Sequence, residues 1–254
     1  MTFEDFLYSL GERVETIGTS IRRFFGLLFR PEPSEKPPAF RFTARLVKRR
    51  VTVHELISLH LQLMFLAYLF LNFLVVLLTR SALLVVLIAV PYFTYLRYFI
   101  GRYGSFMLDV RPYRFFYYGV SLISFFAFLG YVLLRKLLPV VFYYYAYLVA
   151  VVFSILLFWW YFKRTFGRDY AYGTVEEVKG DLVRVFVHDD ICANVKPGLY
   201  WVPATPDAEP GRVVKVLVEE RFMRGAVPVR ILEVYLSEPS QSSQTETPPN
   251  DEIE

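Results

Sequence analysis

His188, Asp189, Asp190 and Cys192 form the densest group of metal-capable side chains in the chain. Adjacent residues on a strand point to opposite faces, so such neighbours do not converge easily on one ion. No second His/Cys cluster lies elsewhere. The group reads as a strand end running into a solvated loop, and no metal or other cofactor is expected. His60, Gln62 and Asn72 sit in a long apolar run, where ionisable groups mark pathways when they occur. His60 is close enough to the start of that run to reach the interface. Asn72 lies near mid-depth, where an amide more often makes an interhelical hydrogen bond than a transport site.

The familiar catalytic spacings are missing. There is no G-x-S-x-G, no phosphate-binding glycine loop, no H-E-x-x-H and no paired-cysteine spacing. A non-enzymatic role is the expectation. A single cysteine rules out an intramolecular disulfide and suits a reducing compartment. The first residues include Glu4, Asp5 and Glu12, unlike the basic and then apolar opening of a secretory signal peptide.

The elements that would position any site are largely membrane-spanning. Apolar residues make up 55% of the chain, above the roughly 45–50% of soluble domains, and the excess is concentrated. From Ile57 to Arg164 the only acid is Asp109, which leaves little to cover the outside of a soluble core. Four spans are expected at Ile57–Thr79, Ser81–Ile100, Phe115–Leu134 and Pro139–Phe162. The connections Thr79-Arg80-Ser81 and Arg135–Leu138 are short enough for tight helical hairpins. Span two is short and contains Pro91, so a re-entrant pair formed by spans one and two is the alternative. No Asp, Glu, Lys or Arg lies near the middle of any span, which argues against a proton-coupled transporter.

Charge asymmetry orients the spans. One side would carry Arg41, Arg45, Lys48, Arg49, Arg50, Arg97, Arg102, Arg111, Arg114, Lys163, Arg164 and Arg168, against Arg80, Arg135 and Lys136 on the other. The positive-inside rule then places both termini in the cytoplasm, in a multi-pass protein of the cell membrane. The five basic residues Arg41, Arg45, Lys48, Arg49 and Arg50 form a membrane-surface segment. They are the ordinary orienting signal, or alternatively a contact for anionic lipid.

The flanks divide into four further pieces around the transmembrane region 51–168. Residues 1–30 read as an amphipathic helix with a heptad seam through Phe3, Leu7, Leu10, Val14, Ile17, Ile21, Phe24 and Leu28. Its first turns hold Glu4, Asp5, Glu12 and Glu15 with Arg13 alone opposing them. That favours packing on protein over lying on the membrane surface, which prefers a basic polar face. Residues 31–50 are a Pro-rich and basic linker. Residues 169–236 hold five β-like runs, at Tyr170–Val178, Asp181–His188, Leu199–Val202, Arg212–Glu219 and Val227–Leu236, which suggest a small barrel of the OB or SH3-like kind. Residues 237–254 are polar, acidic and rich in Pro, Ser and Thr, hence a disordered tail. Acids outnumber Lys and Arg in the β region, which argues against nucleic acid. Tyr200, Trp201 and Phe186 read there as core aromatics.

The whole plan resembles a group of uncharacterised archaeal multi-pass membrane proteins known only as a domain of unknown function. The resemblance rests on the N-terminal helix, the basic Arg41–Arg50 segment, four aromatic-rich spans and the run Tyr172-Gly173-Thr174-Val175-Glu176-Glu177-Val178. It implies no activity and carries over no functional residue. Two functions are consistent with the residues. One is an anchor that holds a cytoplasmic β domain for protein interaction or assembly. The other is a homo-oligomeric channel or transporter subunit with the β domain as a collar and a lumen lined by the Ser121/Ser124 face. Besides the lipid bilayer, the expected partners are other proteins or further copies of the chain. The seam makes a prediction of its own. Packed on protein, it loses that contact when Ile17 is replaced by Asp, and light scattering in mild detergent reads a smaller assembly or a less stable chain. Lying on the membrane, it leaves both readings unchanged.

Overall fold

The structure, a computed structural model, describes residues 26, 31–38, 52–79, 81–107, 109–137, 141–221 and 225–235. The expected N-terminal amphipathic helix and acidic tail lie outside those residues. The chain divides into two compact units, residues 1–166 and 167–254.

The first unit contains four helices, α1 (Val53–Leu78), α2 (Ala82–Tyr103), α3 (Val110–Leu137) and α4 (Val141–Phe166). Their lengths are 26, 22, 28 and 26 residues. At about 1.5 Å per residue each exceeds a hydrocarbon core of about 30 Å. All four are long and apolar enough to cross a membrane. Each runs past its expected span at one end or both, α1 at its start, α2 and α4 at their ends and α3 at both, because the polar and aromatic residues there continue the helix instead of breaking it. A capping box starts α1, in which the Glu55 N–H donates to Thr52 Oγ1 and the Thr52 N–H donates to Glu55 Oε2. At the start of α3, Asp109 Oδ1 accepts from the Arg111 N–H at 3.1 Å.

Pro91 does not break its helix. The backbone of α2 is continuous through it, as neighbouring helices and hydroxyl groups allow in apolar surroundings. One turn on, Thr94 Oγ1 donates to the Val90 carbonyl at 2.7 Å. The re-entrant alternative assumed a short, broken helix, and α2 is neither. A 3₁₀ turn at Gly104–Phe106 follows it. Ahead of the bundle, the Ser34 N–H donates to the Arg102 carbonyl at 2.8 Å, and Pro31 packs where Gly101 has no side chain. That contact ties part of the Pro-rich linker to the end of α2.

Small residues on α3 admit α4. Phe158 occupies the notch left by Gly119. The Tyr147 hydroxyl reaches the carbonyls of Phe126 and Ala127, 2.8 and 2.9 Å away, beside Gly130. Close backbone approach of this kind is how helices associate where lipid removes the hydrophobic drive. Away from α3, α4 presents apolar surface, including Leu148, Val152, Phe153 and Leu156.

The second unit is a five-stranded antiparallel sheet: β1 (Tyr170–Lys179), β2 (Leu182–Val187), β3 (Gly198–Pro203), β4 (Val213–Arg221) and β5 (Gly225–Tyr235). Their order is β3-β2-β1-β4-β5. The strands fall close to where apolar alternation puts them. Register shifts at Val175/Glu177, Lys215/Val216 and Leu217/Val218 bend the sheet, as bulges do. The curl brings its two edges together at a parallel bridge between Val195 and Ala226, making a half-barrel. Its concave core includes Val175, Val183, Val185, Val187, Val202, Val214 and Val216. Pro228 sits on the edge strand β5, where a missing N–H is tolerated.

At Gly173, β1 packs tightly against β2. A Cβ there would stand 2.6 Å from Val185 Cγ1 and 2.7 Å from the Phe186 carbonyl oxygen, too near for either to yield without moving the strand. Gly173→Val is therefore expected to destabilise the sheet by about 1–3 kcal/mol. A urea titration of the full chain in mild detergent, scored by proteolytic survival of the C-terminal unit, measures the shift.

Candidate functional site

The polar groups of the helix bundle come first, because a transport pathway would have to use them. The structure turns most of them toward one another. His60 Nε2 lies 2.7 Å from the Tyr95 hydroxyl, with its ring against Phe99. His54 Nε2 lies 3.2 Å from the Tyr113 hydroxyl. At mid-bundle, the Tyr92 hydroxyl and Ser121 Oγ are 2.9 Å apart and buried, and the Tyr92 ring stacks on Tyr68.

One expectation changes here. Asn72 is fully buried, yet its amide donates to the Tyr68 carbonyl of its own helix at 2.9 Å. Asn72 Oδ1 and the Tyr68 hydroxyl have no hydrogen-bond partner among the described residues. The expected interhelical bond is not made, because the carbonyl one turn back lies within easier reach of a short side chain. The two serines of the Ser121/Ser124 face are held differently, one by another helix and one by its own. Ser121 is fully buried and held by Tyr92, and Ser124 Oγ donates to its own helix at the Val120 carbonyl.

In the second unit, Asp190 organises a loop. Its carboxylate accepts from Arg168 at 3.0 and 3.3 Å and from the backbone N–H groups of Cys192 and Ala193 at 2.9 and 3.3 Å. Burial works against the Arg168 charge, but the Asp190 carboxylate outweighs it and holds the guanidinium above its ordinary range. Asn194, at φ 53°, turns the chain so that its carbonyl accepts from the Ala226 N–H at 2.8 Å. This loop thus closes the curl of the sheet. Among the described residues no group of three or more His, Cys, Asp or Glu could hold a metal.

The outer face of the sheet has two halves of different chemistry. On β4–β5 the charges are paired. Lys215 Nζ lies 3.1 Å from Glu233 Oε1, and the Tyr235 hydroxyl donates to Glu233 Oε2 at 3.0 Å. The Lys215 bond holds the Glu233 carboxyl below its ordinary range, and the bond to Glu233 pushes the Tyr235 phenol up to about 12. On β2–β3 the face is apolar and aromatic. Register places Leu182 opposite Pro203, Arg184 opposite Trp201 and Phe186 opposite Leu199. Trp201 is 47% exposed and Leu199 51% exposed. The Arg184 guanidinium lies 5.8 Å from the centre of the Trp201 ring and bonds Glu177 at 3.1 Å.

Trp201 is thus not the core aromatic that the sequence suggested. A period of two sends Val202 inward and its neighbour outward, a signal already present in the alternation of Val183, Val185 and Val187 with Leu182, Arg184 and Phe186. Tyr200 is half-buried against the core, with its hydroxyl donating to the Lys196 carbonyl at 3.0 Å. Burial pushes its phenol up. The other site residues read from sequence, Leu7, Leu10, Val14, Ile17, Ile21, Phe24, Arg41, Arg45, Lys48, Arg49 and Arg50, lie outside the described residues.

No curated protein and no solved structure matches the chain. The model of a family described as predicted membrane protein (DUF2101) matches residues 27–232, a stretch that takes in the four helices and most of the curled sheet. With well over half its length matched, the chain belongs to that family of predicted membrane proteins.

Proposed function

We propose that the chain is a non-enzymatic, multi-pass membrane anchor that holds its β unit in the cytoplasm for protein interaction or assembly. The observation that carries this reading is the outer face of β2–β3, where Leu182, Leu199 and Trp201 stand exposed around Arg184. Exposed aromatic, aliphatic and Arg side chains grouped on a rigid sheet are the composition of an interface centre. A solvated face with no partner would carry charge, as β4–β5 does. Two of the bundle's buried polar pairs, Tyr92–Ser121 and His54–Tyr113, bond across helices, which supports the same reading.

The strand order, with a parallel bridge joining the regions next to β3 and β5, favours an OB-like barrel over an SH3-like one. The cytoplasmic placement of both termini rests on the basic ends of the helices. Arg97, Arg102, Arg111, Arg114, Lys163 and Arg164 lie at one end of the bundle, and Arg135 and Lys136 at the other.

Two measurements test the proposal. Protease added to sealed inside-out membrane vesicles is expected to release the β unit, and right-side-out vesicles are expected to protect it. The opposite pattern reverses the orientation. A photo-crosslinking residue in place of Trp201, in cells, is expected to yield a discrete protein adduct. Leu199→Asp in the same chain is expected to reduce that adduct about tenfold, the effect of losing on the order of 1–2 kcal/mol at an interface centre. Adducts to nucleic acid, or none while the chain is present and folded, would defeat the reading.

A further inference from the structure

An open groove of about 490 Å³ runs along the bundle between Phe93 of α2, residues Arg111, Arg114, Phe115, Tyr118, Gly119 and Leu122 of α3, and Phe166 at the end of α4. Its walls are almost wholly carbon. Gly119 lines it where Phe158 fills the space of the missing side chain, and Phe115 stacks on Phe158. Arg111 and Arg114 contribute their aliphatic stems to the lining while their heads belong to the exposed end of the helix. Arg97, nearly two turns before the end of α2, approaches the Tyr118 hydroxyl together with Arg114.

The charges at that rim are placed against local electrostatics. Arg111 and Arg114 fall in the first turns of α3, where the unpaired backbone N–H groups already make the helix end positive and cations are disfavoured. The nearest acid along the chain is Asp109, and one of its oxygens is committed to the Arg111 N–H. Three guanidinium groups and a helix N-terminus therefore share one end of an apolar groove. An anion placed there would relieve the repulsion, and guanidinium groups recognise phosphate by charge-assisted hydrogen bonds. The groove beside it is lined by carbon, as an acyl chain requires.

From this we propose that the groove is a binding site for one anionic phospholipid, its phosphate held by Arg111 and Arg114 with Arg97 beside them and an acyl chain lying along Phe93, Phe115 and Leu122. The site is separate from the basic Arg41–Arg50 segment, and it selects by headgroup charge where ordinary lipid-facing surface does not.

The test uses the full chain, purified in mild detergent and stripped of lipid, with phosphatidylglycerol as the probe. Native mass spectrometry and the thermal midpoint are read against phosphatidylcholine of the same acyl chains and against inorganic phosphate. Phosphatidylglycerol is expected to remain bound at one equivalent and to raise the midpoint, while the other two do neither. Arg111→Gln with Arg114→Gln is expected to weaken the phosphatidylglycerol response by on the order of tenfold or more. Arg49→Gln with Arg50→Gln is expected to leave it unchanged. Equal retention of the two lipids by the native chain overturns the proposal without recourse to any variant. So does a shift produced by phosphate alone, which marks a free-anion site, or a response that survives in the Arg111/Arg114 variant and vanishes in the Arg49/Arg50 one.

Discussion

Inside a bilayer there is no water to satisfy a backbone N–H or C=O, and each group left open costs several kcal/mol. That single constraint accounts for much of the first unit. The four apolar stretches have no alternative to full-length helix, so α2 continues through Pro91 and its free hydroxyl, at Thr94, turns back onto the backbone. The same requirement extends to side chains. Tyr92 with Ser121, His54 with Tyr113 and His60 with Tyr95 pair between helices, which satisfies polar groups that apolar surroundings would leave costly. These pairs, with the Gly119 and Gly130 notches, give three helices with mostly apolar surfaces a preferred arrangement, and α4 joins them through α3.

The second unit rests on sheet pairing instead of helix packing. In water a sheet can leave one face wet, and here the wet face is divided. Glu233, Lys215 and Tyr235 make a bonded polar patch on β4–β5, whereas β2–β3 turns out Leu182, Leu199 and Trp201. The concave face is closed by the Asp190 loop, whose carboxylate takes bonds from Arg168 and two backbone groups. A residue cluster that resembles a metal site in one dimension is, in three, the clasp that draws the edges of the sheet together.

How far the sequence could be read depends on which link of the chain carried the signal. The helices and strands were legible because both follow from a repeating pattern of apolar residues: an unbroken run of some twenty for a span, a period of two for a strand. The candidate sites were less legible. Trp201 was misread as core, although alternation with Val202 already pointed it outward, because aromatics in a short domain are more often buried than presented. Asn72 was given a partner on another helix, but the choice between a neighbouring helix and its own backbone turns on distances no pattern contains. The groove bounded by Phe93, Phe115 and Phe166 was invisible for the same reason, since its walls come from three helices.

The sequence by itself determined that this chain has four helices long and apolar enough to cross a membrane, followed by five short strands, because hydrophobic length and periodicity are local properties that each segment expresses alone. Only the tertiary structure decided which polar groups meet inside the bundle, that Ser121 is spent on Tyr92, and that three helix ends set an apolar groove beneath Arg97, Arg111 and Arg114. It also decided that β3 and β5 approach each other across a bend of the sheet. Those outcomes depend on contacts between residues far apart in the chain, and such contacts exist only once helices have packed against helices and a sheet has curled upon itself.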